Sequence, residues 1–326
     1  MDHAIRFSRT GGPEVLELTP VGAGDTPLKA DEARIRQHAV GVNFIDIYHR
    51  TGLYPLPLPS GIGLEGAGVV EAIGADVRWL RVGDRVAYAG GTPGAYAEVR
   101  NVAADRLLLL PDAIDFKTGA AMMLQGLTTQ YLLRRTYRVS AGETILIHAA
   151  AGGVGLMVCQ WAKSLGAIVI GTVSTEEKAA LAQANGCDYT INYTTEKFAE
   201  WVKEITGGKG VSVVYDSIGK DTFYGSLDCL RPLGTMVSFG NASGPVQAFD
   251  LSELAKRGSL FITRPTLATY TAKREDLVAM ANELFELVTS SVVKINIGRT
   301  YPLEAAAQAH IDLAARKTTG SIILLP

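Results

Sequence analysis

Cysteine is scarce in this sequence and shows no pairing pattern. The 326 residues include three cysteines, at Cys159, Cys187 and Cys229, and none of them belongs to a Cys-x-x-Cys pair. This usage excludes a disulfide framework and a cysteine-rich zinc site, and it is typical of proteins from a reducing compartment. We therefore expect a cytoplasmic protein.

An excess of charge and long apolar runs are also missing. Lysine and arginine number 31 against 33 aspartate and glutamate residues, so the formal net charge is −2. A balance this close to neutral offers no electrostatic attraction to nucleic acid or to an anionic membrane surface. No apolar run reaches bilayer-spanning length. Met1-Asp2-His3 is not the start of a charged n-region followed by an apolar h-region, so we expect no signal peptide. We expect neither nucleic acid nor a membrane as a partner.

Glycine is abundant, at 35 residues, and its most informative cluster lies between residues 143 and 175. Residues 145–151 form an apolar run without helical period, residues 156–164 have a helical pattern, and residues 168–173 form a second apolar run. A strand, a glycine-rich turn, a helix and a second strand make the first half of a Rossmann fold.

The turn carries a variant of the dinucleotide-binding fingerprint Gly-x-Gly-x-x-Gly. It reads Ala150-x-Gly152-x-x-Gly155, with alanine in the first position. Gly152 lets the backbone approach a pyrophosphate, and Gly155 lets the helix pack closely on the strand. Gly153 and Val154 lie where the N–H groups of a helix start meet a phosphate. The alternative is a glycine-rich turn in another kind of doubly wound sheet.

Strand and helix patterns alternate through the rest of residues 125–265, which we interpret as a Rossmann dinucleotide-binding domain. The predicted strands lie at residues 189–193, 211–216, 235–239 and 259–263. The predicted helices lie at residues 175–185, 196–205 and 221–230.

Residues 1–124 have a different, β-rich pattern. Strands are predicted at residues 32–38, 66–73 and 94–102, with another after the turn at 83–86, and a helix at 116–133 leads into the Rossmann domain. This pattern favours a small barrel-like domain. Residues 266–326 hold two helical patterns, the second opening at Tyr301, and a final strand at 321–325. We expect this segment to complete the first domain, with a cleft between the two domains.

Local motifs along the whole chain resemble those of one family. In order and spacing they are similar to the zinc-free quinone oxidoreductase branch of the medium-chain dehydrogenase/reductase superfamily, which includes NADPH:quinone reductases and zeta-crystallin. The resemblance implies an α/β fold, with a doubly wound parallel Rossmann sheet and a GroES-like, barrel-like β-rich catalytic domain. It also implies NADPH as cofactor and a quinone as substrate. The motifs are Val42-Asn43-Phe44-Ile45-Asp46, Gly63-Leu64-Glu65-Gly66-Ala67-Gly68, Gly83-Asp84-Arg85-Val86, residues 148–155, Val214-Tyr215-Asp216-Ser217 and Ser238-Phe239-Gly240-Asn241.

The chain departs from the alcohol dehydrogenase branch of that superfamily at the metal. That branch holds catalytic zinc with a cysteine where this chain has Asn43 and with a histidine where it has Leu64. Glu65 is kept, but one carboxylate does not make a zinc site. Residues 87–110 contain no cysteine for a structural zinc lobe, and the five histidines show no ligand spacing. We expect no metal, and we expect His49 to be solvent-facing or hydrogen-bonded.

A quinone needs little polarisation, because hydride addition produces an aromatic hydroquinone anion. The protein must align the nicotinamide, exclude water and hydrogen-bond to the developing oxyanion. By position in the family, Asn43 would donate to the acceptor oxygen or to the nicotinamide ribose, and Asp46 would support the nicotinamide half. Tyr48 and Tyr54 would stack on a flat ring and donate O–H, or else be half-buried aromatic residues with their hydroxyls in water.

Further cofactor contacts are expected at the carboxyl ends of strands, where ligands of α/β proteins bind. The contacts that follow predicted strands are Ser217, Gly219, Phe239, Gly240 and Asn241. The resemblance adds Thr128, Tyr131, Arg264, Pro265, Thr266 and Lys317. The alternative for Lys317 is a solvated surface charge without a role in cofactor binding.

The end of the second Rossmann strand favours NADPH over NADH. An acidic residue at this point would hold the ribose hydroxyls of NAD and repel a 2′-phosphate, but Ser174 stands here. Ser174, Thr175 and Lys178 offer donors at the start of a helix, where an anion is stabilised, and Tyr193 ends the neighbouring strand. The alternative is that Lys178 only pairs with the two glutamates before it.

Other functions remain open beside quinone reduction. Reduction of an activated C=C bond, in an alkenal or an enoyl thioester, needs the same hydride transfer to an electron-poor conjugated system. A crystallin-like structural role or RNA binding is the non-enzymatic alternative.

The last predicted Rossmann strand, residues 259–263, would leave an exposed edge of the sheet. Relatives pair this strand across a two-fold axis, so we expect a homodimer.

Overall fold

The structure is a computed structural model that describes residues 1–22 and 27–326. The chain divides into two compact units. The first unit comprises Met1–Leu127, Tyr270–Thr289 and Ile295–Pro326, and the second comprises Thr128–Thr269 and Ser290–Lys294. Within the described ranges, no helix is long and apolar enough to span a membrane.

The N-terminal part of the chain consists mainly of short strands. These are β1 (Asp2–Phe7), β2 (Glu17–Val21), β3 (Glu32–Val42), β4 (Ser60–Gly61), β5 (Glu65–Ile73), β6 (Arg85–Ala89), β7 (Val99–Ala103) and β8 (Leu108–Leu109). Two helices accompany them, α1 (Phe44–Thr51) and α2 (Phe116–Tyr131), and α2 continues into a π-helical turn, Leu132–Thr136.

The middle of the chain alternates strands and helices. The strands are β9 (Thr144–Ile147), β10 (Ile168–Val173), β11 (Tyr189–Asn192), β12 (Val211–Asp216), β13 (Leu230–Ser238) and β14 (Phe261–Thr263). The helices are α3 (Gly153–Ser164), α4 (Glu176–Ala184), α5 (Phe198–Ile205), α6 (Phe223–Asp228), α7 (Ser252–Lys256) and α8 (Leu267–Tyr270). The C-terminal part adds α9 (Arg274–Thr289), β15 (Ile297–Pro302), α10 (Ala306–Ala314) and β16 (Ser321–Leu325).

The second unit is built on a parallel sheet of strand order β11-β10-β9-β12-β13-β14. All six residues of β12 are buried, as expected for a strand covered by helices on both faces. The direction of winding reverses between β9 and β12, which makes the carboxyl ends of these strands the switch point where α/β proteins bind ligands. The predicted Rossmann fold is therefore confirmed.

The first unit contains two sheets. The larger has the order β15-β16-β3-β5-β6-β8, with β7 also paired to β3, and the smaller has the order β2-β1-β4. The C-terminal strand β16 pairs antiparallel with β3, so that Ile323 lies opposite Gly41. One apolar core contains side chains from both ends of the chain, among them Phe7, Val40 and Ile322. This β-rich, GroES-like unit agrees with the predicted fold class.

The first Rossmann turn differs from its predicted boundaries. The strand β9 ends at Ile147 rather than at residue 151, and α3 begins at Gly153 rather than at residue 156. Ala149 has a positive φ of 54°, which ends the extended conformation, although Ala150 N–H still donates to Thr172 O at 3.0 Å. The apolar character of residues 148–151 reflects burial in a tight turn and not a continuing strand.

Two other predicted boundaries were wrong. Residues 297–302 form β15, paired with β16, where a helix was expected to open at Tyr301; the helix α10 begins only after a 3-10 turn at Leu303–Ala305. The predicted strand at 94–102 is confined to β7, and Ala97 makes only an isolated bridge to Ala4. In both places short-range apolar alternation did not reveal which backbone partner was available.

Candidate active site

The glycine-rich turn lies at the carboxyl end of β9, at the switch point of the sheet. Gly152 is the N-cap of α3, and Gly153, Val154 and Gly155 open the helix. A Cβ on Gly155 would lie 2.3 Å from Ala149 O, so only glycine lets the helix start this close to the preceding turn. The first N–H groups of a 12-residue helix are thereby presented at the switch point, as pyrophosphate binding requires.

The tip of β10 brings Ser174, Thr175 and Lys178 together. Thr175 caps α4 by accepting a hydrogen bond from the N–H of Lys178 at 3.3 Å, and Lys178 Nζ donates to Ser174 Oγ at 3.1 Å. The two glutamates before Lys178 are exposed. Tyr193 is 37% exposed, and its N–H donates to the last residue of β10 at 3.1 Å. Hydroxyls and an ammonium therefore surround the point where NAD-specific proteins place an acid.

The loops that follow β12 and β13 are joined to each other. The N–H of Ala242 donates to Ser217 O at 3.1 Å, and a Cβ on Gly240 would lie 2.4 Å from the same oxygen. Gly219 has a φ of 91°, a conformation that favours glycine. The predicted residues Ser217, Gly219, Phe239, Gly240 and Asn241 thus lie at one edge of the sheet, the edge that holds the glycine-rich turn.

A buried polar network behind this edge was not predicted from the sequence. His148 Nδ1 lies 2.9 Å from Thr172 Oγ1, and its Nε2 lies 2.9 Å from Ser226 Oγ, which donates to Asp216 Oδ2 at 2.8 Å. Asp216 Oδ1 in turn accepts the backbone N–H of Gly219 at 3.0 Å. Burial lowers the pKa of His148, so the ring is a neutral link that holds the loop after β12 in place.

In the first unit, Asn43 is the centre of a second buried network. Asn43 Nδ2 donates to Glu65 Oε1 at 2.6 Å, and Asn43 Oδ1 accepts from Gln125 Nε2 at 3.1 Å. The backbone N–H of Asn43 donates to Asp46 Oδ2 at 2.8 Å, and the same oxygen accepts the Tyr96 hydroxyl at 2.9 Å. One amide hydrogen of Asn43 therefore donates to Glu65, and neither Gln125 nor Tyr96 was predicted as part of this site.

Both carboxyl groups of this network have raised pKa values. Burial raises the pKa of Asp46 to about 7 and that of Glu65 to about 8. The hydrogen bonds that the two carboxyl groups accept act in the opposite direction and lower the pKa, but burial has the larger effect. Asp46 is 0% exposed, and its Oδ1 has no hydrogen-bond partner among the described residues. A side chain with no exposed surface does not touch a ligand directly, so Asp46 can act only through the groups around it.

The two candidate tyrosines lie against each other. The rings of Tyr48 and Tyr54 are 5.1 Å apart at an interplanar angle of 66°, and the N–H of Tyr54 donates to Tyr48 O at 3.0 Å. Tyr54 is half-buried and Tyr48 is buried. We expected His49 to be solvent-facing or hydrogen-bonded; it is 8% exposed and therefore not solvent-facing, and burial lowers its pKa. Its ring lies 6.3 Å from that of Tyr54.

The other predicted cofactor residues differ in exposure. Thr128 and Tyr131 are buried near the end of α2, and Pro265 is buried after β14. Arg264 Nη1 donates to Ser238 O at 2.7 Å, which connects the segment after β14 to the end of β13. Thr266 is exposed, with its Oγ1 3.0 Å from Thr269 Oγ1, and Lys317 is exposed after α10 in the first unit.

Metal-ligating side chains do not cluster in the part of the chain that the structure describes. No three histidine, cysteine, aspartate or glutamate side chains there lie close enough to hold a metal ion. Asn43 and Leu64, which stand at the positions of zinc ligands, are both 7% exposed. The donors around Glu65 are amide N–H groups, which hydrogen-bond to a carboxylate and do not ligate metals.

Two known families match this chain. Residues 29–112 match the alcohol dehydrogenase GroES-like domain, and residues 153–284 match the family described as zinc-binding dehydrogenase. The first match falls in the first unit, and the second begins at the glycine-rich turn.

Close relatives match over the whole chain. A quinone oxidoreductase of Pseudomonas aeruginosa is 55% identical over 100% of both chains. A 2-haloacrylate reductase of a Burkholderia species is 47% identical over 99% of this chain and 98% of its own length. The crystal structure of Escherichia coli quinone oxidoreductase complexed with NADPH is 50% identical, with a TM-score of 0.97 over 99% of this chain and 100% of that chain.

Proposed function

The chain belongs to the zinc-free quinone oxidoreductase branch of the medium-chain dehydrogenase/reductase superfamily, and we propose from this premise how its residues serve the reaction. It is an NADPH-dependent quinone oxidoreductase. The observation that carries this function is the 55% identity to a quinone oxidoreductase along the full length of both chains. A purely structural or RNA-binding role is set aside.

The second unit fits NADPH at the edge of its sheet. Gly153 and Val154 would donate backbone N–H groups to the pyrophosphate at the start of α3, where Gly155 permits the close approach of helix and turn. Ser174 and Lys178 would hold the 2′-phosphate, because they place a hydroxyl and an ammonium together at the tip of β10. When bound, NADPH supplies the hydride.

The contacts of the loops support the remaining cofactor assignments. Ser217, Gly240 and Arg264 are tied to neighbouring backbone groups at the carboxyl ends of β12 to β14. Loops fixed in this way hold a nicotinamide in one orientation and limit the number of geometries for transfer. The His148 network makes the same contribution, because it holds the loop after β12 in place.

The first unit would bind the acceptor and hold the charge that develops on it. Tyr54 is half-buried beside Tyr48, so the pair offers an aromatic surface to a flat ring and a hydroxyl that can donate to the oxyanion. Asn43 would add an amide N–H, and Asp46 would keep Asn43 in position. We propose that no metal takes part, because amide and aliphatic side chains occupy the ligand positions.

An activated C=C bond is the second candidate acceptor. A relative named 2-haloacrylate reductase is 47% identical along almost the whole chain, and a haloacrylate carries an electron-poor conjugated bond. The polar groups described above suit either acceptor, since both develop negative charge on an oxygen conjugated to the reacting atom.

A steady-state assay separates these functions. The protein is tested with NADPH against 1,4-benzoquinone, 2-chloroacrylate, an α,β-unsaturated aldehyde and a crotonyl thioester. We expect the highest kcat/KM with the quinone. A higher value with 2-chloroacrylate or an enoyl compound would assign the protein to C=C reduction, and no oxidation of NADPH with any acceptor would contradict both proposals.

We further propose a homodimer formed through β14 and a cytoplasmic location. The strand β14 is the last of its sheet, and Phe261 and Ile262 are 59% and 37% exposed. The exposed edge of the sheet is covered when a second copy of the chain pairs with this strand.

The proposed cytoplasmic location is supported by the three buried free cysteines.

A further inference from the structure

A chain of hydrogen bonds inside the first unit links four buried polar residues. Arg50 Nη1 lies 3.3 Å from His310 Nδ1, His310 Nε2 lies 3.1 Å from the Tyr96 hydroxyl, and that hydroxyl lies 2.9 Å from Asp46 Oδ2. The exposed fractions are 5% for Arg50 and 0% for each of the others. The chain joins α10, which carries His310, to both ends of α1.

The direction of each hydrogen bond in this chain is fixed. A guanidinium only donates, so His310 Nδ1 must be the acceptor and the ring proton must lie on Nε2. Nε2 then donates to the Tyr96 hydroxyl, which donates to Asp46. Burial and the nearby Arg50 lower the pKa of His310 to about 3, so the ring is neutral at physiological pH. All three donors therefore point toward Asp46.

The position of this chain relative to Tyr48 gives it a role. Residues four apart lie on one face of a helix, so Asp46 and Arg50 share a face of α1, and Tyr48, two residues from each, lies on the other. Asp46 also accepts the N–H of Asn43 and so fixes the start of α1. The buried chain thus holds the face of α1 that lies behind Tyr48.

We propose that His310 is a positioning residue for acceptor reduction: through Tyr96 it holds Asp46, and with Arg50 it fixes the helix that carries Tyr48. This inference rests on the proposed function, since Tyr48 and Tyr54 are the acceptor residues of that proposal. His310 itself is fully buried and touches no acceptor. Its side chain would determine how precisely the acceptor residues are held, and would leave the pyrophosphate and 2′-phosphate contacts proposed for NADPH in the second unit unchanged.

The kinetic test removes single links of the chain. Tyr96→Phe deletes the bond to Asp46, and His310→Phe deletes both bonds of the ring. Misplacement by about 1 Å costs on the order of 100-fold in rate, so a loosened helix should lower kcat/KM for the acceptor by about 10-fold and leave the Kd of NADPH within about 2-fold. Because Tyr96 and His310 act in series, the double variant Tyr96→Phe/His310→Phe should lose no more acceptor kcat/KM than the more impaired of the two single variants.

Tyr88→Phe is the matched control. Tyr88 is also 0% exposed in the first unit, and its hydroxyl donates to the buried side chain of Gln37. The Gln37 amide stays anchored by the carbonyls of Ala95 and Ala97. This variant should lose thermal stability to a similar extent and keep its acceptor kcat/KM. Equal kinetic losses in Tyr88→Phe and Tyr96→Phe would overturn the proposal.

Two measurements do not depend on activity, and the first uses wild-type protein, so it does not need a folded variant. In wild-type protein, ¹⁵N NMR of the histidine rings should show the His310 proton on Nε2, and a proton on Nδ1 would overturn the proposal. Hydrogen exchange of the first-turn amides of α1 should be faster in Tyr96→Phe than in Tyr88→Phe, and equal rates would contradict it. Wild-type protein without quinone reductase activity would refute the proposed function, while these two readouts would still decide whether His310 positions α1.

Discussion

Lys178 Nζ lies 3.1 Å from Ser174 Oγ at the tip of β10, where a 2′-phosphate would be distinguished from a ribose hydroxyl. Hydrogen bonds to charged groups contribute about 1.5–3 kcal/mol, which corresponds to roughly 10- to 150-fold in affinity. We therefore expect Lys178→Ala to weaken NADPH binding by about that factor and to leave NADH binding almost unchanged. Fluorescence titration with both nucleotides measures the two dissociation constants.

Lys197→Ala is a suitable control for this experiment. Lys197 is an exposed lysine of the same unit that pairs with Glu200, and its loss should change neither affinity. Equal losses of NADPH and NADH affinity in Lys178→Ala, or a wild-type preference for NADH, would place the 2′-phosphate elsewhere.

The sequence was sufficient to predict the Rossmann unit because its information is local. Each strand is a short apolar run, and each crossover helix follows directly, so period and length identify the elements. Gly155 identified the close approach of α3 to the turn, and Ser174 marked the tip of β10, because both lie within a few residues of the structure that they determine.

The network around Asn43 could not be predicted because its members are far apart in the sequence. Glu65, Tyr96, Gln125 and His310 come from a strand, a loop and two helices, and no periodic pattern relates them. The single sign was Glu65, which lies in an otherwise apolar run and whose burial therefore required partners. The strand β15 was missed for a related reason, since its pairing with β16 depends on tertiary contacts.

Tyr54→Phe tests the proposed oxyanion donor. Removing one donor from a closed site costs roughly 2.7–4 kcal/mol, but water can replace a donor on a half-exposed residue, so the loss should be smaller. We expect kcat with 1,4-benzoquinone to fall while the Kd of NADPH stays constant. Tyr224→Phe, at an exposed tyrosine of the second unit, is the control. Unchanged kcat with a raised quinone KM would instead assign Tyr54 to ring stacking.

The absence of a metal requirement can be tested directly. Asn43 and Leu64 offer an amide and an aliphatic group where a zinc site needs thiolate and imidazole. Purified protein should contain zinc far below one ion per chain, and a chelator should leave quinone reduction unchanged. Stoichiometric zinc, or activity that a chelator abolishes and zinc restores, would contradict the proposal.

The proposed dimer predicts that a charge on β14 separates the subunits. Phe261→Lys places an ammonium on the exposed edge strand, a residue that natural edges use to prevent pairing. Sedimentation should give twice the single-chain mass for wild-type protein and the single-chain mass for the variant. Val82→Lys, at a residue that is 65% exposed in the first unit, should remain dimeric. A monomeric wild-type protein at micromolar concentration would refute the dimer.

Glu65→Gln should change how stability depends on pH. The pKa of Glu65 is raised from 4.5 to about 8 by burial, so between these values the folded protein holds a proton that the unfolded chain has lost. The stability that this group contributes is complete below about pH 4.5 and is lost as the pH rises through about 8. Glutamine does not titrate, so the variant lacks this loss.

The quantity to measure is therefore the difference in unfolding free energy, wild type minus Glu65→Gln. It should fall with rising pH by up to about 1.4 kcal/mol per pH unit between about pH 5 and pH 8. Asp46, whose pKa is raised to about 7, titrates in both proteins and cancels in this difference if its pKa is the same in both.

Glu177→Gln is the control. Hydrogen bonding to Thr175 lowers the pKa of Glu177, so this substitution should change the pH dependence of stability only below about pH 4.5. A difference that stays constant from about pH 5 to pH 8 would mean that Glu65 is already ionised throughout, and that its two N–H donors alone stabilise the buried carboxylate.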